Sequence, residues 1–221
     1  HDYCYENYKL FEAGSWLYKP VNKILELMPL FLDQKNIRVL DLGCGVGRNS
    51  IPIAKAMKQG TVVCVDLLDS AIQKLKAYSK EHGVEEVIQT VKADIENFPI
   101  GVDEYDLIVA VSSIEHVRTV EVFQNVIHAM AKGTKEQGIV CIIVNSEVVE
   151  IDINTNKLQE ALIEVNVSTA EMTEMLRKTF LGWEEITYDV KPLEYESTRQ
   201  NKPVLLKTKA ITYVAKNNKI T

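Results

Sequence analysis

From Ile37 onward, short runs of β-branched and aliphatic residues alternate with segments of helical periodicity, a pattern that restricts the chain to a mostly parallel sheet covered by helices. The strand candidates of that sheet are 37–42, 61–65, 87–91, 105–111 and 137–145. Most are nearly continuous in apolar residues, as strands covered on both faces must be. Helical patterns fill the intervals at about 47–57, 70–82 and 120–131, and the second begins with Ser70-Ala-Ile-Gln73, the spacing of a capping box. Ahead of the first strand, 20–28 reads as a short amphipathic helix, with Pro20 in its first turn and Pro29 as a stop or kink.

After Asn145 the pattern changes. Residues 146–167 read as acidic and irregular, and Ser168-Thr-Ala-Glu171 then caps another helix running to about 181. Two last strand candidates, 184–190 and 208–215, flank a polar stretch at 194–202 and read as a terminal antiparallel pair. The expected fold is therefore α/β, with a Rossmann-like, mostly parallel sheet of seven strands in a single domain. Its parts are an N-terminal lid or helix (1–35), a ligand-binding core (36–145), and an insertion with the terminal strands (146–221).

Thirty-one acidic residues against 25 basic ones give a net charge of −6, which offers no footprint for a phosphate backbone and speaks against a nucleic-acid substrate. The lysines are dispersed along helical segments, as on solvated faces. No apolar run approaches the roughly 18 to 20 residues of a membrane span. Cys4, Cys44, Cys64 and Cys141 form no CxxC pair and read as free thiols, and no export signal is visible, so the expected setting is the cytosol. No metal-ligand spacing is apparent.

The strand Ile-Arg-Val-Leu-Asp-Leu runs directly into Gly43-Cys-Gly45-Val-Gly47 and then into a helix, so the glycines sit at the carboxyl end of the first strand, where open α/β sheets bind ligands. A dinucleotide loop requires a glycine three positions after the second, and Arg48 stands there instead. Asp41 would also be an unfavourable neighbour for a pyrophosphate. A ligand carrying an ammonium and a sulfonium reverses that sign. Asp66 ends the second strand, placed to accept ribose hydroxyls. Asp94 follows the third, placed to accept from the adenine amine, with Leu67 and Ile95 as apolar walls.

Together the loop with its leading Asp41, Asp66, Ala93-Asp94 and the strand Tyr-Asp-Leu-Ile-Val-Ala-Val resemble class I S-adenosylmethionine-dependent methyltransferases over about 36–145. Asp-Leu-Gly-Cys-Gly-Val-Gly-Arg-Asn-Ser50 and Gly-Trp-Glu-Glu-Ile-Thr-Tyr188 resemble the tellurite-resistance and small-molecule branch. The segment Ser112-Ser-Ile-Glu-His-Val117 and the acidic stretch after it depart from that pattern, so the acceptor does not carry over. The resemblance implies S-adenosylmethionine as cofactor and a small-molecule methyl acceptor. It places Gly43, Cys44 and Gly45 along the methionine and ribose, and Asp66 on the ribose. Asp94 and Ile95 fall at the adenine, and Val111 and Ser112 beneath the sulfonium. Asp41 is expected to orient the loop more than touch the ligand.

A base is needed only if the acceptor is protonated, and His116, on the loop after the fourth strand, is the candidate, because an imidazole exchanges protons near neutrality. A histidine at the start of a helix is the alternative reading. His82 and His128 fall on helices away from the strand ends. Tyr3, Tyr5, Tyr8, Trp16 and Tyr18 crowd the N-terminal segment, as an aromatic lid or as ordinary packing. The Asn/Asp-Pro-Pro-Tyr signature of base methylation is absent, Val-Ser-Ser-Ile standing in its place. The expected protein is a methyltransferase acting as a monomer or homodimer. The alternatives are a non-catalytic module that binds S-adenosylmethionine and a nicotinamide-dependent oxidoreductase.

Overall fold

Four apolar runs pair in parallel as the core of the sheet: β1 (Ile37–Leu42), β2 (Gly60–Asp66), β3 (Ile88–Lys92) and β4 (Tyr105–Val111). The structure is a computed structural model that describes residues 2–31, 34–57, 59–199 and 202–218; the side chains of Tyr3 and Cys4 lie outside what is described. β5 (Thr134–Asp152) joins β4 in parallel, and β7 (Glu184–Arg199) and β8 (Lys202–Lys216) add the antiparallel pair, giving the order β3-β2-β1-β4-β5-β8-β7.

Alternate residues of each central strand feed two different cores, which is why the strands read as continuous apolar runs. On one face Val39, Val62, Cys64, Leu107, Val109 and Cys141 pack with Ile51 and Ile53 of α3 (Ser50–Ala56) and Ala71 and Leu75 of α4 (Asp69–Glu81). The N-terminal segment joins this face through Tyr5, Leu10, Leu17, Ile24 and Leu27. On the other face Leu40, Leu42, Ile108, Ala110, Val140 and Ile142 meet Phe123, Ile127 and Met130 of α5 (Val120–Gly133) and Met172 and Leu176 of α6 (Thr169–Thr179). The segment before β1 folds as α1 (Asp2–Asn7), a 3₁₀ turn at Trp16–Tyr18, and α2 (Asn22–Leu27), which tightens into 3₁₀ over Met28–Phe31 where Pro29 sits.

Four expectations need correction. The sheet has eight strands, because a short β6 (Lys157–Gln159) pairs with the far end of β5. The stretch after Asn145 is ordered: β5 continues to Asp152 past a register shift at 146–149, where Glu147 takes φ 51. Its acidic residues serve as acceptors for loop backbone, Glu150 from the Leu162 N–H at 2.9 Å and Asp152 from those of Asn154 and Thr155, both at 2.9 Å. Lys209 and Thr169 hold the Glu147 carboxyl down to about 2. The polar stretch 194–202 lies largely inside the β7–β8 ladder, and Val204 and Leu206 of β8 form a small third cluster with Val148 of β5. Finally, α4 begins at Asp69 with Leu68 at its N-cap and no side-chain cap bond, so Ser70 is not its cap. The capping box at Ser168 and Glu171 is present in both directions.

Candidate active site

The loop that follows β1 turns back over β2 because the Gly43 and Cys44 N–H groups both donate to the Val65 carbonyl, at 2.8 and 3.0 Å. Its three glycines have different physical causes. A Cβ on Gly43 (φ +75) would lie 2.2 Å from the Ser113 Cβ, and the Ser113 hydroxyl is fixed there by donating to the Leu42 carbonyl at 2.7 Å. A Cβ on Gly47 (φ +96) would meet Leu75 and Ile51, the side chains that pack α3 and α4. Both glycines are required by packing within the protein. At Gly45 (φ +53) the three nearest atoms all belong to Tyr5, with its hydroxyl at 2.7 Å. Gly45 is thus the glycine whose Cβ position faces the N-terminal segment.

Asp41 lies beneath this loop at 1% exposure and accepts from the Ser50 hydroxyl at 2.5 Å. It ties the strand end to the first residue of α3 and presents nothing to solvent. Burial, opposed by the Ser50 bond and reinforced by Asp66, pushes its carboxyl up to about 6. Because the folded state holds this proton more tightly than the unfolded chain, the contribution of Asp41 to stability is greatest below about pH 4, falls as pH rises to about 6, and is level above that. Asp41→Asn keeps an acceptor for Ser50 and removes the ionisation. Urea midpoints should therefore show the variant gaining about 1–3 kcal/mol on the wild type at pH 8 and little near pH 4. A difference that does not vary with pH would contradict this.

Asp66, at the end of β2, is 9% exposed and accepts from the Gly45 N–H at 2.8 Å and from the Leu68 N–H at 2.9 Å. One carboxylate thereby sets both the glycine loop and the turn into α4. The Ala93 N–H donates to the Asp66 carbonyl at 3.1 Å, which holds the chain after β3 beside it. Asp94 is half-buried and makes an Asx turn, its carboxylate accepting from the Glu96 N–H at 3.0 Å. Leu67 is 59% exposed, whereas Ile95 is packed against the second core. Val111 ends β4 half-buried, and Ser112 beyond it takes φ 48 and is exposed. The strand-end residues read from the sequence are thus brought to the carboxyl edge of the parallel strands.

The next turn, Ile114–His116, is a single 3₁₀ turn that separates two neighbours sharply. His116 is exposed, and its Nδ1 lies 3.1 Å from a carboxylate oxygen of Glu164. Glu115 is fully buried; one of its oxygens accepts from the Asn145 backbone N–H at 3.1 Å and side-chain amide at 2.8 Å, and the other has no partner. Burial pushes the Glu115 carboxyl up. The insertion after β5 reaches this turn, the Val165 N–H donating to the Glu115 carbonyl at 3.0 Å. Glu164 lies 48 residues from His116, and no local pattern marks it as a partner. Tyr5 is likewise one of five aromatics that the sequence does not rank.

Of those aromatics, Tyr5 is buried, whereas Tyr8, Trp16 and Tyr18 are 37%, 46% and 45% exposed. His82 stacks edge-on with Phe11 at 5.4 Å, and His128 is exposed on α5. An open groove of about 390 Å³ between α5 and α6 contains none of the strand-end residues. Its lining of Gln124, His128, Glu171 and Lys178 among others is the solvated side of two surface helices, without the converging groups a ligand site needs. No helix among the described residues is long and apolar enough to cross a membrane, and no group of His, Cys, Asp or Glu among them could hold a metal ion.

Residues 39–138 match the family described as "Methyltransferase domain". Among curated proteins, the chain is 29% identical over 210 residues to a ubiquinone biosynthesis O-methyltransferase of Rickettsia conorii, covering 91% of this chain and 63% of that protein. A norajmaline N-methyltransferase of Rauvolfia serpentina is 30% identical over 103 residues, 45% of this chain and 34% of that one. The chain thus spans less than two thirds of the length of these relatives. Among solved structures, TehB from Haemophilus influenzae superposes with a TM-score of 0.68 at 20% identity, over 98% of this chain and 66% of that one. The N-methyltransferase NodS from Bradyrhizobium japonicum, solved with S-adenosyl-l-homocysteine, superposes with a TM-score of 0.57 at 15% identity, over 95% and 91%. At those identities the likeness is one of fold.

Proposed function

We propose that this chain, a member of the class I S-adenosylmethionine-dependent methyltransferases, transfers a methyl group to a small-molecule acceptor whose reacting atom carries a proton. The observation that carries this reading is the bare face of Gly45 held beside Asp66 at the carboxyl edge of the sheet. The site fits the cofactor. Gly45 offers main chain without a Cβ beside Asp66, and Asp66 uses one lone pair per oxygen on backbone, leaving others for ribose hydroxyls. Arg48 in place of the last glycine of a dinucleotide loop, and Asp41 behind the loop, disfavour a pyrophosphate.

In this reading Gly43, Cys44 and Gly45 line the methionine and ribose, Leu67, Asp94 and Ile95 the adenine, and Val111 and Ser112 the floor beneath the sulfonium. Asp41 acts through Ser50 on the loop and does not touch the ligand. Bound there, S-adenosylmethionine supplies a methyl carbon already activated by a positive sulfur. What the chain adds is alignment at about 3 to 3.5 Å and exclusion of water. Glu164 lies 3.1 Å from Nδ1 of His116 and orients an imidazole that can take a proton from the acceptor. A base so held favours a hydroxyl or a protonated amine over an anion. Of these, a hydroxyl agrees with the O-methyltransferase relative.

A cytosolic setting agrees with the buried, unbridged Cys44, Cys64 and Cys141. The test is transfer of a labelled methyl group to a panel of phenols, catechols, amines, thiols, carboxylates and metalloid oxyanions. Label should enter the hydroxyl class ahead of the rest. Transfer confined to acceptors that are anions at neutral pH would contradict the assignment of a base.

A further inference from the structure

A fully buried carboxyl with one bare oxygen stands two hydrogen bonds from Ser112. The Asn145 side-chain amide donates to Oε1 of Glu115 at 2.8 Å and to the Ser112 hydroxyl at 3.4 Å, and the Asn145 backbone N–H also donates to that Oε1, at 3.1 Å. The Thr208 hydroxyl donates to Oδ1 of Asn145 at 3.4 Å, so the amide is held with its NH₂ toward Glu115 and Ser112. Oε2 of Glu115 has no partner among the described residues.

These surroundings suit a neutral acid. Two donors satisfy a carbonyl oxygen, and a buried O–H without an acceptor costs less than a buried charged oxygen without a donor. Burial acts in the same direction on the Glu115 carboxyl. The charge nearest in the chain is that of His116, which when present favours the anion, and Glu164 of the insertion lies 3.1 Å from His116. Asn145 of β5 is uncharged, and farther along, Glu147 of β5 and Lys209 of β8 close on each other at 2.7 Å. Between this turn and α5, Arg118 is paired with Glu96, and Glu121 at the start of α5 is exposed.

In the reading above, Ser112 is part of the floor beneath the sulfonium. A cation placed there favours the ionised form of a nearby buried carboxyl, and low-dielectric surroundings carry that attraction farther than water does. S-adenosylhomocysteine lacks the sulfonium charge and exerts no such pull. We propose that Glu115 is the group by which the site tells the cofactor from its demethylated product: the acid gives up its proton to solvent as the sulfonium seats over Ser112, and the anion then holds the charged ligand more tightly than the neutral one. This rests on the assignment of the strand edge as the cofactor site. Once the sulfur has lost its charge, Glu115 takes a proton back from solvent and the hold on the ligand weakens.

The test is calorimetry of S-adenosylmethionine and S-adenosylhomocysteine with wild type, Glu115→Gln, His116→Asn and Asp41→Asn at pH 7. Two buffers of different ionisation enthalpy count the protons released on binding. Glutamine keeps the shape of the acid and an acceptor for Asn145, and it cannot ionise. Glu115→Gln should bind S-adenosylmethionine about 3- to 10-fold more weakly than wild type and S-adenosylhomocysteine within about twofold of it. Wild type should release protons with the first ligand and none with the second. An imidazole, and the Asp41 carboxyl at about 6, also exchange protons near this pH, so the release should persist in His116→Asn and Asp41→Asn and be lost in Glu115→Gln. If Glu115→Gln does not fold, the release in the other two variants decides. Equal weakening of both ligands, no change in either, or a release that survives in Glu115→Gln or vanishes in His116→Asn or Asp41→Asn would overturn the proposal and leave Glu115 an anchor of its turn. Absence of any heat of binding for both ligands in wild type would overturn the cofactor assignment, and the proposal with it.

Discussion

The His116→Asn protein is expected to methylate a hydroxyl acceptor about 10²- to 10⁴-fold more slowly than wild type, with its affinity for S-adenosylhomocysteine nearly unchanged. The expectation follows from geometry. His116 is exposed on the turn after β4, on the strand edge where the glycine loop also lies, and a Glu164 carboxylate oxygen 3.1 Å from Nδ1 orients its ring. The methyl group needs no activation from the protein, so a base matters only when the acceptor is protonated. An acceptor already ionised at neutral pH should therefore lose little. Glu164→Gln should fall between wild type and His116→Asn, because it removes the charge that holds the imidazole and keeps the imidazole itself. Rates for a protonated and an ionised acceptor, measured in parallel, separate proton transfer from positioning. Equal losses for the two would leave His116 a positioning residue and remove it as the base.

A second large effect is expected at Gly43. An alanine there adds a Cβ that would stand 2.2 Å from the Ser113 Cβ, at φ +75, where an L residue is strained in any case. Ser113 cannot step aside cheaply, because its hydroxyl is bonded to the Leu42 carbonyl and its side chain is buried. Left-handed strain of about 1 kcal/mol and overpacking of about 1–3 kcal/mol together give a loss of about 2–4 kcal/mol. For a chain of this size that lowers Tm by roughly 4–16 °C. Gly83→Ala is the matched control, since Gly83 has φ +65 and nothing within 4 Å of the added Cβ. It should lose only the conformational part. Equal falls in Tm for the two variants would show that the loop after β4 yields at Gly43 and that the contact with Ser113 sets no constraint.

What could be read without coordinates was whatever rests on local pattern. The runs at 37–42 and 105–111 became β1 and β4 residue for residue, because strands buried on both faces leave an unbroken apolar signal. The Ser168 and Glu171 capping box formed because both partners lie within one turn. The far halves of β5, β7 and β8 were not legible for the opposite reason. They are buried on one side at most, so Glu194, Glu196 and Lys202 looked like a loop although they pair in a ladder. Ser70 matched a capping box by spacing alone, but Asp66 takes the Leu68 N–H and starts α4 one residue earlier.

At the site, Asp66 and the glycines were legible as strand-end residues, but their separate tasks were not. Nothing in Gly-Cys-Gly-Val-Gly tells that Gly43 answers to Ser113, Gly47 to Leu75, and Gly45 to Tyr5, because each partner lies 28 to 70 residues away or on another element. The burial of Glu115 beside an exposed His116 is equally invisible in sequence, since it depends on Asn145 and on the insertion that returns through Val165.

The central claim is that this sheet edge holds S-adenosylmethionine, and the direct measurement is the melting temperature of the protein with and without S-adenosylhomocysteine, with NADH as the comparison. At about one hundred times its dissociation constant a ligand adds about 2.7 kcal/mol to the folded state. That should raise Tm by roughly 5–10 °C, and NADH should leave it where it was. A saturating titration of S-adenosylhomocysteine that moves Tm no more than NADH does would contradict the account.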